Sequence, residues 1–162
     1  MIKIKTFTKQ FISAALIVVL SLLMLCACSG SKTAVTAQEF SAKAESLGFK
    51  TADTSYTYSE YNYVVSSTTA YEKINDKIVW QMDFLIAESP EKAAGMYIGN
   101  KETFDELSGS VLTVSVGNYS TYEKNGEGRF MYLCRVDNTM LYVNADEQYK
   151  DTVKKLIDVL GY

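Results

Sequence analysis

The sequence predicts an α+β fold, a single mostly antiparallel sheet of about six or seven strands with about three helices packed on it. Three observations carry this. Several stretches alternate apolar and polar residues, as half-buried strands do. Two-residue Asn, Asp and Gly turns join them, which suits antiparallel neighbours. Three further segments combine a capping signal with apolar residues at helical spacing.

Taken in order, Thr36 and Glu39 fit a capping box, and Ala37, Phe40, Ala44 and Leu47 form one apolar stripe. This predicts a helix over 37–47, with Gly48 as its left-handed stop. Residues 49–58 read as a first strand and 61–74, rich in Tyr, Val and Thr, as a second. Asn75-Asp76 turns the chain into 77–87, where Ile78, Trp80, Met82, Phe84 and Ile86 fall on one face. Ser89-Pro90 starts a helix whose buried side is Ala93, Ala94, Tyr97, Ile98 and Phe104. Gly95 and Gly99 share a face there, and close packing on the sheet is the expected use. A four-strand meander follows. Leu112, Val114 and Val116 are expected inward on its first strand, and Asn125-Gly126 is the strongest hairpin turn. Phe130, Tyr132, Cys134 and Val136 share a face of the third strand. Asn144 and Glu147 fit a second capping box. Tyr149, Val153, Leu156, Ile157 and Leu160 form the last helical stripe, which Gly161 ends.

The first 27 residues read differently from everything after them. Lys3, Lys5 and Lys9 form a basic start, and 11–25 carry no charge. That arrangement is a secretory signal, too short for an ordinary membrane span. Leu25-Cys26-Ala27-Cys28 resembles the lipobox of bacterial lipoproteins, with Leu three before the cut, a small residue just before it, and Cys after it. The resemblance implies cleavage after Ala27 and a diacylglycerol on Cys28. Cys26 is the rival acceptor, but Leu25 is too large to precede the cut. An ordinary signal peptide that happens to contain cysteines is the blander reading. The chain thus divides into a leader over 1–27, a small polar tether over 28–35, and one domain over 36–162. The seven residues 29–35 reach ~25 Å at most. The mature part otherwise resembles only small lipoproteins of Gram-positive bacteria.

Composition narrows the function. The leader holds three of the 16 basic residues and none of the 19 acidic ones, so the mature chain has a net charge of −6. An acidic domain does not suit nucleic acid or anionic lipid as a partner. Its membrane contact is expected through the lipid. Cys134 is the one cysteine left over, so no intrachain disulfide is expected. Its place in the alternation makes it a small buried hydrophobe rather than a reactive thiol. The chain has no histidine, which removes the commonest general base and the commonest zinc ligand. No calcium-loop pattern and no Gly-rich phosphate loop are present, and neither a metal nor a cofactor is expected.

Three constellations remain. Ser89-Pro90-Glu91-Lys92 matches the Ser-x-x-Lys pattern of penicillin-binding enzymes, but the companion motifs are missing and a capped helix explains the four residues. Arg135 shares a sheet face with Asp83, and an ion pair between them is the favoured reading; an anion-binding arginine is the sharper one. Tyr56, Tyr58, Tyr61 and Tyr63 are the most unusual local feature. Ser59-Glu60 can turn the chain between them and gather the rings at one end of the sheet. Tyrosine offers a flat apolar ring and a hydrogen-bonding tip, which suits sugar rings and peptides. The bland reading is that sheets favour tyrosine. The resulting expectation is a lipid-anchored protein of the extracytoplasmic membrane face with a non-catalytic binding or accessory role. Its partner is expected to be cell-wall glycan or a protein. A small envelope hydrolase, or an interaction subunit of a membrane complex, is the alternative.

Overall fold

A computed structural model describes residues 31–162. The leader, Cys28 and the first residues of the tether lie outside the described residues. Seven strands form one antiparallel sheet: β1 (Lys50–Asp53), β2 (Val64–Ile74), β3 (Lys77–Ala87), β4 (Ser110–Val116), β5 (Tyr119–Gly126), β6 (Arg129–Val136) and β7 (Thr139–Asp146). Three α-helices accompany them: α1 (Ala37–Ser46), α2 (Pro90–Asp105) and α3 (Lys150–Leu160). The spatial order of strands is β1-β2-β3-β7-β6-β5-β4, with every neighbouring pair antiparallel. The α+β expectation therefore holds.

The non-sequential contact between β3 and β7 comes from α2. The chain leaves β3 in the middle of the sheet, and α2 crosses the sheet over β3, β7 and β6. It delivers β4 to the far edge, and the meander β4-β5-β6-β7 returns to β3. One sheet face carries Trp80, Met82, Phe84, Tyr132, Cys134 and Leu141, covered by α1 and α3. Phe40 of α1 stacks on Phe84 with ring centroids 5.0 Å apart. The other face carries Met131, Leu133 and Tyr122 against Phe104 of α2.

Local signals position most of these elements. Thr36 and Glu39 form the expected capping box, and Gly48 stands at φ +86° just past α1. Ser89 accepts a hydrogen bond from the Lys92 amide at 3.3 Å and so caps α2. Asn75 and Asp76 both take positive φ in the β2–β3 turn. Gly161 ends α3 in the left-handed region at φ +80°. The α3 stripe buries Val153, Leu156, Ile157 and Leu160 as expected.

Several expectations are corrected. The first strand stops at Asp53, and Ser55–Tyr58 forms a 3-10 helix instead. The β5–β6 turn lies at Glu127-Gly128, both at positive φ, two residues beyond Asn125-Gly126. Gly126 stays in the ladder opposite Arg129, where a Cβ would sit 1.9 Å from the Ser108 carbonyl oxygen. Asn144 caps no helix. Strand β7 runs on to Asp146 because Arg129 of β6 holds it, donating to Asn144 Oδ1 at 2.9 Å and pairing with Asp146. Leu112, Val114 and Val116 are exposed, since β4 is an edge strand and the helical cover stops short of it. Ile78 and Ile98 are exposed too.

Residues 32–35, read as part of a polar tether, lie against the domain. The backbone of Lys32 exchanges two hydrogen bonds with the Asn118 side chain, at 3.0 and 2.8 Å. The Lys32 ammonium reaches the Gly161 carbonyl at 2.7 Å, and the Val35 amide donates to Tyr162 Oη at 3.0 Å. Ala34 and Val35 pack on the main core. Among the described residues no helix is long and apolar enough to cross a membrane.

Candidate functional site

The segment 54–63 is tied down by polar contacts rather than by a strand. The Thr54 amide donates to the Ser67 carbonyl at 2.9 Å. Its hydroxyl bonds those of Ser67 and Thr69 at 2.8 and 2.9 Å. Below them lies Asp83 of β3, which is buried. Thr69 donates to Asp83 Oδ1 at 2.6 Å, and Tyr58 donates its phenol proton to Oδ2 at 3.0 Å. A buried carboxylate needs such donors, because the low-dielectric interior penalises an unpaired charge. Burial first, and the neighbouring Asp83 carboxylate second, push the Tyr58 phenol well above its ordinary range.

With Tyr58 so held, the chain turns through Ser59-Glu60 as expected, and three of the four tyrosines gather. Ring centroids are 6.4 Å apart for Tyr58–Tyr61 and 5.8 Å for Tyr61–Tyr63. Tyr56 does not join them and is 91% exposed. A strand over 49–58, as expected from the sequence, would put Tyr56 and Tyr58 on one face. In a 3-10 helix of three residues per turn, residues two apart diverge.

The three rings form one wall of a groove of about 490 Å³. Its opposite wall is the flank of α2 that bears Gly95, Met96 and Gly99. Leu85 of β3 and Met140 of β7, paired across the ladder, belong to the floor together with Tyr142. A Cβ added at Gly95 or Gly99 would meet nothing within 4 Å. The close helix–sheet packing expected of this pair is therefore absent, and the missing side chains widen the groove instead. Glu91 and Lys92 border it, and Lys92 also lies 5.8 Å from the Tyr63 ring centre. A second hollow, about 380 Å³, lies on the other side of Tyr58, between the Thr54–Thr57 segment and Gln81 and Asp83.

Arg135 does not line the groove. Among the described residues it forms no ion pair with Asp83; its one side-chain hydrogen bond is a long one to Ser120 Oγ at 3.5 Å. The ladder explains this. Asp83 stands opposite Tyr142, and Tyr142 opposite Leu133, which places Arg135 two pairs further along, opposite Met140, with β7 in between. Tyr58 and Thr69 have already satisfied the carboxylate.

Cys134 is fully buried on the main core face. Burial pushes its thiol up to about 12. Ser89 and Lys92 act as cap and first-turn residue of α2, with Lys92 3.9 Å from Glu88.

The groove's helical wall was missed by sequence reasoning. The signal was present in Gly95 and Gly99, but a small-residue pair fits close packing and an open cleft equally well. Compared with family models, with curated proteins and with solved structures, the chain shows no match.

Proposed function

We propose that this chain is a lipid-anchored protein of the extracytoplasmic face of a bacterial cell membrane, and that its domain is a non-catalytic binding module. The leader and its lipobox support the first half. One observation carries the second: Tyr58, Tyr61 and Tyr63 face two side-chain-free positions of α2 across a preformed groove. Pockets with an apolar floor, aromatic walls and a few polar groups at the rim are the usual form of small binding sites. Flat phenol rings with hydrogen-bonding tips suit a sugar ring, and cell-wall glycan is the ligand we propose.

With Cys28 as the lipid carrier, only Ser29-Gly30-Ser31 separate it from Lys32, which is docked. That stretch reaches ~14 Å at most, so the domain is held close to the membrane surface. Two or three acyl chains, at ~0.8 kcal/mol per buried methylene, hold such a domain firmly.

Two measurements test the two halves separately. Mass spectrometry of the protein isolated from membranes should find an acylated Cys28 at its start, and an unmodified Cys28 ends the anchor reading. Retention on isolated cell wall should fall when Tyr61→Ala is introduced. Unchanged retention would assign the tyrosines to the fold alone.

A further inference from the structure

All seven residues of β4 are exposed. The strand forms one edge of the sheet and pairs on its inner side with β5. Its outward N–H and C=O groups have no strand partner among the described residues. Such an edge is a ready template for another strand, and proteins guard it with charge, proline, short length or cover. The opposite edge is guarded in this way. Strand β1 has four residues, begins on Lys50 and ends on Asp53, and its Thr51 hydroxyl is bonded to Glu45 of α1. Among the described residues, strand β4 has none of these devices. The sequence runs without a charge from Leu107 to Tyr122. Leu112, Val114 and Val116 share one face of β4, at 64%, 42% and 48% exposure.

We propose that β4 is a self-association edge, through which two copies of this chain pair antiparallel about a two-fold axis at Val114 and join their sheets into one. In that register Leu112 meets Val116 of the second copy and Val114 meets itself. All six apolar side chains then fall on one face as a continuous stripe. The stripe is its own complement about Val114, so a second copy fits it without any further pocket. Like net charge keeps two copies apart elsewhere, and the uncharged 107–122 stretch is where their backbones can approach. A foreign peptide added to a sheet edge draws its specificity from pockets for alternate side chains. Neither cavity described above borders β4. Because β1 is guarded, the association closes at two copies instead of growing into a filament. Nothing in this inference depends on the groove or its ligand.

The test is the oligomeric state of the full chain in detergent, by sedimentation over a wide range of concentrations. A dimer fraction that rises with concentration is expected. Val114→Lys sets two like charges directly opposite each other and should weaken the dimer at least roughly tenfold. Because Val114 lies outside both buried clusters, melting at concentrations where both proteins are monomeric should be unchanged. Val114→Cys should yield an oxidised cross-link between copies, mapped by mass spectrometry to that position in both. A wild-type monomer throughout would overturn the proposal. So would a dimer indifferent to Val114→Lys, or an engineered thiol that does not join its own counterpart. Capture of a strand from another protein by this edge, with no self-pairing, would overturn it as well.

Discussion

Lys124 donates from its ammonium to the carbonyl of Phe104 at 2.8 Å, inside the contact between β5 and the last turn of α2. Only 3% of the lysine is exposed. The end of a helix leaves carbonyls without partners and carries a partial negative charge. A buried cation there satisfies both, and it fastens α2 to the edge half of the sheet. Lys124→Met keeps the apolar stem and removes the donor. The Phe104 carbonyl keeps its bond from the Leu107 amide at 3.2 Å, so the lost bond should cost about 0.5–1.5 kcal/mol. Urea unfolding should show a lower midpoint with an unchanged slope. An unchanged midpoint would mean that water replaces the ammonium.

The same helix end is sensitive to acid. Asp105 accepts hydrogen bonds from Lys101 and from the Tyr122 hydroxyl, the latter at 2.6 Å. These donors, Lys101 foremost, hold its carboxyl below the ordinary range. A carboxylate depressed in the folded state adds stability that is present above its unfolded pKa, near 4, and lost as pH falls through the folded value. Melting temperature should therefore drop on acidification below about pH 4. Asp105→Asn should flatten part of that slope while changing little at neutral pH beyond the loss of one ion pair. An identical acid limb in the variant would assign the slope to other carboxylates.

Cys134 should resist modification. Its thiol, pushed up to about 12, stays protonated at neutral pH, and no side of it meets solvent. Thiol reagents should label it slowly in the native protein and rapidly in denaturant. Fast native labelling would require a different register for β6, since a one-residue slip exchanges the two faces.

Tyr58 and Tyr61 should separate fold from binding. Tyr58→Phe deletes one donor to a buried carboxylate and should cost about 1.5–3 kcal/mol of stability. Tyr61 is 51% exposed, so Tyr61→Ala should change stability by no more than about 0.5 kcal/mol. If its ring is a hot spot for ligand, that change should cost ~2 kcal/mol or more of binding. Parallel melting and cell-wall retention would show whether the two variants divide in this way.

The glycine flank of α2 gives an opposite pair of outcomes. Gly99→Ala meets no neighbour and removes a helix-weakening residue, so stability should rise by about 0.8–1 kcal/mol. Gly99→Leu should keep the helix and fill the groove. Retention should then fall without any loss of melting temperature. Retention that survives Gly99→Leu would place the ligand elsewhere.

Much of the fold was legible because its determinants are local. The caps at Thr36 and Ser89, the positive-φ turn at Asn75-Asp76 and the Gly161 stop each depend on residues within a few positions of one another. Period-two alternation likewise found β3 and β6, because every second residue of Trp80–Phe84 and of Phe130–Val136 is a large or apolar side chain turned to the main core. Where sequence reading failed, a distant residue had decided. Arg129 extended β7 past Asn144, and the close approach of the Ser108 carbonyl is what requires a glycine at 126, so Gly126 marks that contact and not the turn. The edge position of β4 left Leu112, Val114 and Val116 uncovered although their alternation matches that of a buried strand.

The lipobox-like Leu25-Cys26-Ala27-Cys28, the cysteine count, the missing histidine and the run of tyrosines are features of the chain alone. No arrangement in space was needed to find them. The groove was different. It required Thr54, Thr69 and Asp83 to hold Tyr58, the rings to turn through Ser59-Glu60, and α2 to present Gly95 and Gly99 across from them. Those residues come from segments whose only link is the sheet order. Local sequence sets which conformations each segment prefers, but long-range hydrogen bonds and burial decide which faces meet.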